Sequence, residues 1–372
     1  MKRGNVEPYI SSTPKPLLKV NGVPIIRKIV EKLNSDNINV AIVINPVDEK
    51  TFNDNLYGLK FKYYYQNSPK GTADALYAAR QFVSDDIFGV FMGDDIFNYD
   101  ELNLKNNTEP IIFAYRYYDC RNFGVLELDS RGYVRKIFEK EKRGKGLINT
   151  GIYVMSKQFF QIFEKITMAP NSNEYYLTEA IPELYKAGTR MRAHVISTWK
   201  GINFPSDLTE VNALYNDKPV IRLARLDDFP SLIRTLSQLK PDMADPYFGI
   251  PSGLKILEKI IEDENHYLLV AELNNKLVGT ATMLVQNNLT HYARPYAHIE
   301  NVVTDLEYRK RGIGKLLISE LINVAKSLDC YKVILNCTLQ NSRFYESVGF
   351  SLTNEVEMRL DFQHPYTPKD AP

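Results

Sequence analysis

The chain has 372 residues, of which 44% are hydrophobic and 24% charged, and its 46 basic and 45 acidic residues leave a net charge of +1. This mixture is typical of a folded globular protein and excludes an intrinsically disordered chain. The balanced charge excludes a protein whose whole surface binds nucleic acid or a charged membrane. At about 150 residues per domain, the length favours two domains.

Targeting and redox signals are absent from the sequence. It has no apolar run near the ~20 residues of a membrane span, and its first ten residues lack the apolar core of a signal peptide. The 3 cysteines form no CxxC pair and the 5 histidines are scattered. We therefore expect a reduced, cytoplasmic protein without a histidine-rich metal site and without nucleic-acid or membrane partners.

Helix and strand patterns alternate in the first part of the chain. The apolar spacing predicts an amphipathic helix over Pro24 to Leu33. Continuous apolar runs, typical of buried parallel strands, follow at Asn39 to Ile44, Phe88 to Met92 and Pro110 to Ala114. This alternation predicts an open α/β sheet whose ligands bind beyond the carboxyl ends of the strands.

A proline-containing connector separates this part from the next. Pro219 follows a helix-like stretch, Asp207 to Tyr215, and precedes a predicted strand, Val220 to Leu223. Because proline stops a helix and suits a connector, we place the boundary there and expect domains at 1–217 and 218–372.

The second part predicts a mixed α/β domain of order β-α-β-β-β-α-β with a late helix. After the first strand, its predicted elements are a helix at Asp227 to Leu239, strands at Tyr267 to Glu272, Leu277 to Val285 and Ile299 to Val303, a helix at Gly314 to Leu328 and a strand at Lys332 to Cys337.

The most informative segment of the second part is Tyr308 to Leu316, which follows a predicted strand and opens a predicted helix. Backbone N–H groups at a helix start, together with the helix dipole, bind anions. Gly312 and Gly314 let a phosphate approach the backbone closely, and the basic side chains add charge-assisted contacts. The sequence therefore predicts a phosphate-binding loop.

The arrangement Arg309-x-x-Gly312-x-Gly314 resembles the pyrophosphate loop of the GNAT acetyltransferase superfamily. Over about residues 266–358 the chain resembles the glucosamine-6-phosphate N-acetyltransferases more closely. The segments that carry this likeness, in order, are His298 to Val303, Cys330 to Cys337 and Asn341 to Phe350. The resemblance implies a GNAT domain that takes acetyl-CoA as donor and an amino sugar phosphate as acceptor.

Acetyl transfer needs a proton acceptor for the amine, a backbone N–H for the oxyanion and a proton donor for the leaving thiolate. The resemblance assigns Glu300 to the acceptor amine, as orienting group or base, and Tyr345 to the thiolate. The structural alternative for Glu300 is a strand carboxylate that is paired with a neighbouring base. The alternative for Tyr345 is an aromatic ring that only packs, although Phe344 can also fill that packing role. The cofactor-binding positions implied are Val302, Val303, Arg309, Arg311, Gly312, Ile313, Gly314, Lys315 and Asn341.

Some residues of this domain are expected to be structural or depart from the family pattern. We interpret His298 as structural and Cys337 as a strand residue, since no base partner is evident for the thiol. The family tends to carry acids where this chain has Asn301 and Asn336. The family places a phosphate-binding arginine near the C-terminus, and simple alignment puts Asp361 at that position in this chain. Arg359 lies two residues away and would share the same face of a strand. A 1-phosphate or nucleotide-linked amino sugar is therefore an alternative acceptor to glucosamine 6-phosphate.

The first domain carries landmarks in an order that resembles the sugar-phosphate nucleotidylyltransferases. They are Thr13 to Leu18, Val20 to Ile26, Gln66 with Gly71 to Ala75, Gly93 to Asp95, Asn122 to Val125, Glu139 with Lys140, Asn149 to Tyr153 and Glu174 to Thr178. The resemblance implies a Rossmann-like nucleotidyltransferase sheet over nearly all of residues 8–215.

The same resemblance implies a role for each landmark. Lys15 neutralises a phosphate, although it could also be an ordinary loop lysine, and Asp94 holds Mg²⁺, which prefers oxygen ligands and bridges phosphates. The family's second metal ligand lies near Gly201 to Asn203. Gly201 stands where some relatives have aspartate, so Asn203 is the only plausible side chain there. The remaining nucleotide- and sugar-binding positions implied are Gln66, Gly71, Thr72, Gly124, Glu139 and Asn149.

The start of the chain differs from this family. Family members begin with a buried strand and a glycine-rich loop that cradles the triphosphate, whereas this sequence begins at Met1 to Pro8 without the strand and most of the loop. Removing a central strand exposes the edges of its neighbours. We expect either a true start upstream of Met1 or a natural remnant that binds a nucleotide sugar without making one.

The main hypothesis is a two-domain enzyme of amino-sugar activation. The C-terminal domain N-acetylates an amino sugar phosphate with acetyl-CoA, and the N-terminal domain belongs to UDP-N-acetylglucosamine synthesis. In one alternative the acceptor is another amino sugar; in a second, the N-terminal domain is a binding and dimerisation module. The acetyltransferases it resembles share an active site between two subunits, so we expect a homodimer.

Overall fold

A computed structural model describes residues 13–168, 173–202, 207–208, 211, 219–239, 251–356, 358 and 360. The expected domain boundary at 217/218 lies outside the described residues, as do Asn203, Arg359 and Asp361. Within those described ranges, no helix is both long enough and apolar enough to cross a membrane.

Strands and short helices alternate through the N-terminal domain, as the sequence predicts. Its helices are α1 (Ile25–Ser35), α2 (Glu49–Leu56), α3 (Thr72–Ala78), α4 (Phe159–Ile162) and α5 (Ala180–Lys186). Its strands are β1 (Lys19–Val20), β2 (Val23–Pro24), β3 (Ala41–Ile44), β4 (Lys62–Tyr65), β5 (Ile87–Phe91), β6 (Asp95–Phe97), β7 (Ile111–Tyr117), β8 (Gly124–Leu128), β9 (Val134–Glu139), β10 (Gly146–Ser156), β11 (Arg192–Ile196) and β12 (Trp199–Gly201).

The N-terminal sheet is mixed rather than wholly parallel. Strands β11, β7, β10, β8 and β9 lie side by side, with β5 also on β10. The predicted strand at β7 is parallel to β11, but β10 runs antiparallel to β5, β7 and β8. The predicted strand at β3 is parallel to β4, and these two form a separate two-stranded sheet. The α/β class is confirmed.

The C-terminal domain has one five-stranded sheet flanked by helices. Its strands are β13 (Val220–Leu223), β14 (His266–Leu273), β15 (Lys276–Gln286), β16 (Tyr296–Thr304) and β17 (Val333–Leu335), adjacent in that order. Its helices are α6 (Phe229–Leu236), α7 (Pro251–Glu262), α8 (Ile313–Ser327) and α9 (Leu339–Glu346). All pairs are antiparallel except β16 with β17.

Two details of this domain differ from the sequence prediction. Helix α7 is not in the predicted order, because its Pro-Ser-Gly start resembles a turn, although proline is tolerated in a first helical turn. Strand β17 ends at Leu335, so Cys337 lies beyond it and is exposed. The prediction of Cys337 as a strand residue is wrong because the ladder with β16 stops at Ile299↔Leu335.

Helix α8 covers the sheet of the C-terminal domain. Its fully buried side chains Leu317, Leu321 and Val324 recur at the three- and four-residue spacing of one helix face. They join Ala281, Met283 and other sheet residues in a single core cluster. This packing fixes the N-terminus of α8 relative to β16.

A cavity of about 740 Å³ is lined by β3, by β5 and by apolar residues of α1 and α3. At ~24 cal/mol per Å³, a closed and empty cavity of this size would cost on the order of 18 kcal/mol. Whole domains are stable by only ~5–15 kcal/mol. Because this space is partly open to solvent, it is a pocket rather than a closed packing defect.

The two domains contact each other through the loop before β10 and the end of β7. The Lys145 ammonium donates hydrogen bonds to the carbonyls of Ile260 (3.3 Å) and Ile261 (3.0 Å) in the last turn of α7 and to that of His266 (2.8 Å) at the start of β14. The Tyr118 hydroxyl donates to Glu320 of α8 at 3.1 Å. These contacts connect the sheet of the N-terminal domain to helices α7 and α8 of the C-terminal domain.

We expect Lys145→Met to lower the free energy of unfolding by roughly 1–3 kcal/mol, because the carbonyls that end α7 lose a cationic donor. Differential scanning calorimetry measures the change. Lys255→Met, which replaces an exposed lysine of the same helix, is the matched control and is expected to stay within about 0.5 kcal/mol of the parent. Equal effects of the two changes would contradict a structural role for Lys145.

Candidate functional sites

Strand β16 extends beyond its partner β17, the short strand at one edge of the C-terminal sheet. The two strands pair only over Ala297–Ile299, and the rest of β16 continues to Thr304. The backbone groups of β16 beyond Ile299 on the β17 side therefore have no strand partner in the described part of the chain. An unpaired stretch of strand offers hydrogen-bond donors and acceptors to an extended, amide-containing ligand.

A β-bulge interrupts the pairing of β16 with β15 in this stretch. The register with β15 shifts so that Glu300↔Thr282 is followed by Val303↔Thr280, which leaves an extra residue on β16. Asn301 within the bulge has φ +53°. Asparagine tolerates this left-handed conformation better than most residues. Asn301 and Val302 are therefore left out of the regular pairing with β15.

The predicted phosphate loop follows β16 directly. Lys310 and Gly312 have φ of +64° and +81°, and α8 begins at Ile313. The Leu316 N–H donates to Gly312, so the N–H groups of Ile313, Gly314 and Lys315 precede the first helical hydrogen bond. They form the anion-binding end that the sequence predicted.

The two predicted arginines are held close to the loop. The Arg309 Nε donates to the Thr304 carbonyl at 3.2 Å, and the Arg311 guanidinium donates to the Glu307 carbonyl at 3.3 Å and lies over the Tyr308 ring. Both side chains, like that of Lys315, remain exposed. Their remaining N–H groups are available to a phosphate next to the helix start.

Helix α9 packs onto the start of α8 at a glycine. A Cβ at Gly314 would lie 3.1 Å from the Phe344 ring and 3.5 Å from Thr304 Oγ1. The bulged strand, the phosphate loop and α9 therefore converge at one point. Phe344 takes the packing position, and Asn341 is exposed one turn earlier.

Tyr345 lies next to Phe344 on α9 and is half-buried against it and Phe350. Burial raises the pKa of the Tyr345 phenol, and the nearby Cys337 thiol raises it further. A phenol with a raised pKa keeps its proton at neutral pH. This protonation state suits a donor to a leaving thiolate.

Glu300 stands at the start of the bulge with an exposed side chain, and its Oε1 lies 3.7 Å from His298 Nδ1. The two residues are spaced by two and share one face of β16. The nearby imidazole is the kind of partner expected for a purely structural carboxylate. The exposure of the Glu300 side chain also leaves it accessible to an acceptor.

In the N-terminal domain, the structure brings Lys15 and Asp94 together. The Lys15 ammonium lies 3.9 Å from Asp94 Oδ2, just beyond the carboxyl end of β5. Burial raises the pKa of the Asp94 carboxyl, and the Lys15 charge offsets part of this rise. Gln66, which follows β4, lines the same cavity as Pro16 and Gly93.

Asp95 is a functional candidate that sequence reasoning passed over. Strand β12 places Gly201 opposite Asp95, and Cβ atoms at Gly151 and Gly201 would lie 3.0 and 3.1 Å from its two carboxylate oxygens. Asp95 Oδ2 is buried and has no hydrogen-bond partner among the described residues. The doublet Asp94-Asp95 was the visible signal. An aspartate at position 201 would meet this carboxylate, which explains glycine there.

Magnesium chemistry is compatible with this corner of the domain. Asp94 and Asp95 supply carboxylate oxygens, and Mg²⁺ typically takes one or two carboxylates together with substrate phosphates. The other predicted ligand, Asn203, lies outside the described residues. No cluster of three or more His, Cys, Asp or Glu side chains suited to a metal occurs in the described part of the chain.

Replacing Asp95 should stabilise the N-terminal domain at neutral pH. Burial raises the pKa of the Asp95 carboxyl well above its usual range, and the Asp94 charge raises it further. A carboxyl with a raised pKa in the folded state destabilises the fold when it ionises. This destabilisation is absent below the pKa of the unfolded chain and complete above the pKa of the folded state. We expect Asp95→Asn to add about 1–3 kcal/mol at pH 8 and less at pH 5. Thermal unfolding at both pH values tests this; an equal effect at both would contradict it.

The loop with Gly71 and Thr72 is fastened to the chain before α5. A Cβ at Gly71, which has φ +102°, would lie 2.4 Å from the Tyr175 carbonyl oxygen. The Ala73 N–H donates to that carbonyl at 2.9 Å, and the Thr72 hydroxyl accepts from the Leu177 N–H at 2.8 Å. Gly71 is thus required by a close backbone approach within the protein. Its contact with a nucleotide stays a prediction.

The side-chain amide of Gln66 is also engaged within the protein. Its Nε2 donates to the Gly71 carbonyl at 3.1 Å and to Asp74 Oδ2 at 2.6 Å. These bonds orient the amide and leave its oxygen as the group that could reach a base edge.

The predicted sugar-binding residues lie on three adjacent strands. Gly124 of β8 pairs with Glu139 of β9, and a Cβ at Gly124 would lie 2.7 Å from Glu139 Oε1. Burial raises the pKa of the Glu139 carboxyl. On β10, Asn149 lies at an irregularity, where its Nδ2 donates to the Tyr153 hydroxyl at 2.7 Å and its Oδ1 accepts from the Gly151 N–H at 3.2 Å.

The fold and these sites define a nucleotidyltransferase-like α/β domain followed by an acetyltransferase domain. Comparison with known families agrees: residues 6–218 match the Nucleotidyl transferase family and residues 233–350 match the Acetyltransferase (GNAT) family. Because the first match covers more than half of the chain, the chain belongs to the nucleotidyl transferase family. It also carries a GNAT domain, as the sequence motifs predicted.

Individual relatives match one domain each. The bifunctional protein GlmU of Methanococcus aeolicus is 33% identical over 208 residues, which cover 55% of this chain and 50% of that protein. Glucosamine 6-phosphate N-acetyltransferase of Trypanosoma brucei brucei is 43% identical over 86 residues, 23% of this chain and 58% of that protein.

Solved structures also match. The crystal structure of glucosamine-6-phosphate N-acetyltransferase from Arabidopsis thaliana shares 27% identity, covers 39% of this chain and 99% of that chain, and has a TM-score of 0.36. The chain spans about half the length of the bifunctional relatives it matches.

Proposed function

We propose that the C-terminal domain transfers the acetyl group of acetyl-CoA to the amino group of an amino sugar phosphate, with glucosamine 6-phosphate as the favoured acceptor. The observation that carries this proposal is the convergence of the bulged strand β16, the loop at Gly312 and helix α9 with Tyr345. The sequence likeness to glucosamine 6-phosphate N-acetyltransferase over the same residues supports the acceptor class.

The residues divide the chemistry among them. The N–H groups at the start of α8, with Arg309 and Arg311, bind the pyrophosphate of the donor. The cleft beside Val302 holds its extended arm and offers an N–H to the carbonyl oxygen as that oxygen gains charge.

The reaction is a direct transfer. Glu300 accepts the proton that leaves the acceptor amine, either directly or through a water. The amine nitrogen forms the new N–C bond as the C–S bond breaks, and the sulfur takes up the electron pair. The Tyr345 hydroxyl then protonates the thiolate.

The acceptor is tested by measuring thiol release from acetyl-CoA with glucosamine 6-phosphate, glucosamine 1-phosphate and a UDP-linked amino sugar side by side. We expect kcat/KM to be highest for glucosamine 6-phosphate. A preference for the UDP-linked sugar would instead support the alternative acceptor, and turnover with none of them would remove the amino-sugar assignment.

For the N-terminal domain we propose coupling of an N-acetylhexosamine 1-phosphate to UTP with Mg²⁺, as a step of UDP-N-acetylglucosamine synthesis. The Lys15–Asp94 pair beyond β5 carries this proposal. Mg²⁺ would supply charge neutralisation at the phosphates, and Lys15 would hold a phosphate oxygen beside it. Release of pyrophosphate from UTP, dependent on the sugar 1-phosphate and lost in Lys15→Ala, is the test.

A second candidate for this domain is a nucleotide-sugar-binding module without turnover. The internal hydrogen bonds of Gln66, Thr72 and Asn149 favour it, because each of these side chains already bonds to a group of the protein. Calorimetric binding of UDP-N-acetylglucosamine without pyrophosphate release would support this candidate. Pyrophosphate release would exclude it.

We also propose that the chain forms a homodimer through the C-terminal domain. Val356, Met358 and Leu360 alternate as on one face of a strand and are 82%, 91% and 78% exposed. Exposed apolar residues in this alternating pattern are typical of an interface between subunits. Light scattering that shows only monomers at micromolar concentration would contradict the proposal.

A further inference from the structure

A short turn joins strand β16 to the phosphate loop, and one carboxylate caps this turn. Asp305 directly follows β16 and precedes the helical turn Leu306–Tyr308, and its Oδ1 accepts from the Glu307 N–H at 3.1 Å. Its carbonyl accepts from the Tyr308 N–H at 2.9 Å, and its own N–H donates to the Val278 carbonyl at 2.9 Å. The hydrogen bonds of this single residue therefore fix the path of the backbone out of β16.

The end of helix α6 supplies the partners of the Asp305 carboxylate. The Arg234 guanidinium lies 3.2 Å from Asp305 Oδ2 and also donates to the Leu277 carbonyl at 3.3 Å. One turn later, Gln238 Nε2 donates to the same carboxylate oxygen at 3.4 Å, and Gln238 Oε1 accepts from the Leu306 N–H at 2.9 Å. Two side chains four residues apart thus bind both the carboxylate and the backbone of the turn.

A negative charge is an unfavourable choice at this place for any reason except structure. The Asp305 side chain is only 5% exposed, and burial of a carboxylate is costly unless it is paired and hydrogen-bonded. It also lies a few residues before a loop with an anion-binding end, where a carboxylate repels a phosphate. An ionised carboxylate has the advantage that it accepts from several donors at once. Here it accepts from the turn and from α6 together.

We propose that Asp305 is a positioning residue for the pyrophosphate of the coenzyme, which acts through the turn and not by contact with the ligand. Held by Arg234 and Gln238, it sets the direction in which the chain enters the loop at Gly312 and the start of α8. A loop that is ordered in advance binds its ligand more tightly, because less conformational entropy is lost on binding. The inference rests on the proposed use of acetyl-CoA, and it concerns affinity for the phosphates rather than the transfer step.

The test measures the Kd for coenzyme A by calorimetry in the parent chain and in Asp305→Asn. Asparagine keeps an oxygen for the Glu307 N–H but loses the ionic contact with Arg234, so we expect the Kd to rise by roughly tenfold. Charge alone predicts the opposite sign, because removing a carboxylate beside a phosphate site strengthens anion binding. Glu307→Gln, which removes an exposed carboxylate of the same turn, is the matched control. Its Kd should be lower than that of the parent or within about twofold of it.

A second acetyl donor separates the position of the loop from general damage to the domain. S-Acetylpantetheine carries the thioester and the amide arm of acetyl-CoA but no phosphate. In Asp305→Asn we expect the KM for acetyl-CoA to rise at unchanged kcat, while kcat/KM for S-acetylpantetheine stays within about twofold of the parent. Gln238→Met removes the acceptor of the Leu306 N–H and should raise the Kd for coenzyme A by roughly threefold. This variant decides the question if Asp305→Asn does not fold.

Three results would overturn the proposal. They are a Kd for coenzyme A that is not raised in Asp305→Asn, an equal rise in Glu307→Gln, and equal losses of kcat/KM with the two acetyl donors. Failure of the proposed function gives a different pattern, because the calorimetric measurements need no turnover. If Asp305→Asn weakens coenzyme A binding but no amino sugar is acetylated, the acceptor assignment fails and the role of Asp305 stands. A parent chain that does not bind coenzyme A would overturn both.

Discussion

Replacing Tyr345 with phenylalanine is expected to lower kcat for acetyl transfer by roughly 10²- to 10³-fold, because the leaving thiolate loses its proton donor. The packing should survive, since the ring keeps its contacts with Phe344 and Phe350. The Kd for acetyl-CoA is therefore expected to stay within about twofold, because the phosphate loop is untouched. Steady-state thiol release and calorimetric binding measure the two quantities.

The matched control for this change is Tyr292→Phe, which removes a hydroxyl from a fully exposed tyrosine of the same domain. It should leave kcat and thermal stability unchanged. A Tyr345→Phe enzyme with the parent's kcat, or one whose loss is wholly a loss of acetyl-CoA binding, would contradict the role of Tyr345 as proton donor and leave it as a packing residue.

Replacing Gly71 with alanine is expected to destabilise the N-terminal domain strongly. The new Cβ would lie 2.4 Å from the Tyr175 carbonyl oxygen, and the residue would hold φ +102°. Backbone strain and overpacking each cost about 1–3 kcal/mol, so we expect a loss of roughly 3–5 kcal/mol. Thermal unfolding followed by calorimetry should show the melting temperature of this domain falling by roughly 6–20 °C.

Gly58 offers a control with the same residue change and less steric conflict. It has φ +84° and no atom within 4 Å of a built Cβ. Gly58→Ala should therefore cost only the backbone strain, about 1–2 kcal/mol. If Gly71→Ala cost no more than Gly58→Ala, the close fastening of the Gly71 loop to the Tyr175 segment would be refuted.

The sequence predicted those features of the fold that depend on local pattern. Helix α8 was expected over Gly314 to Leu328 and spans Ile313–Ser327, because its apolar spacing and the glycines before it are both local signals. The strand expected at Ile299 to Val303 is β16. The phosphate loop between them could be predicted for the same reason. The position of α9 relative to this loop could not, since it depends on the fit of Phe344 over Gly314.

Long-range pairings decide the features that the sequence did not predict. The doublet Asp94-Asp95 is visible in the sequence, but the partner of Asp95 is Gly201, more than a hundred residues away in the chain. The bulge at Asn301 requires the register of β15 against β16. The contacts of Lys145 with the end of α7 require the docking of two domains. Periodicity carries no information on any of these pairings.

Acetyl transfer to glucosamine 6-phosphate by the intact chain is the most direct test of the central claim. The measurement follows thiol release from acetyl-CoA and quantifies the N-acetylated sugar phosphate by mass spectrometry in the same reaction. The account predicts one thiol per amide formed, with thiol release that requires the sugar amine and falls in Tyr345→Phe. Thiol release that is independent of the amine, or the absence of amide product at saturating acetyl-CoA, would contradict it.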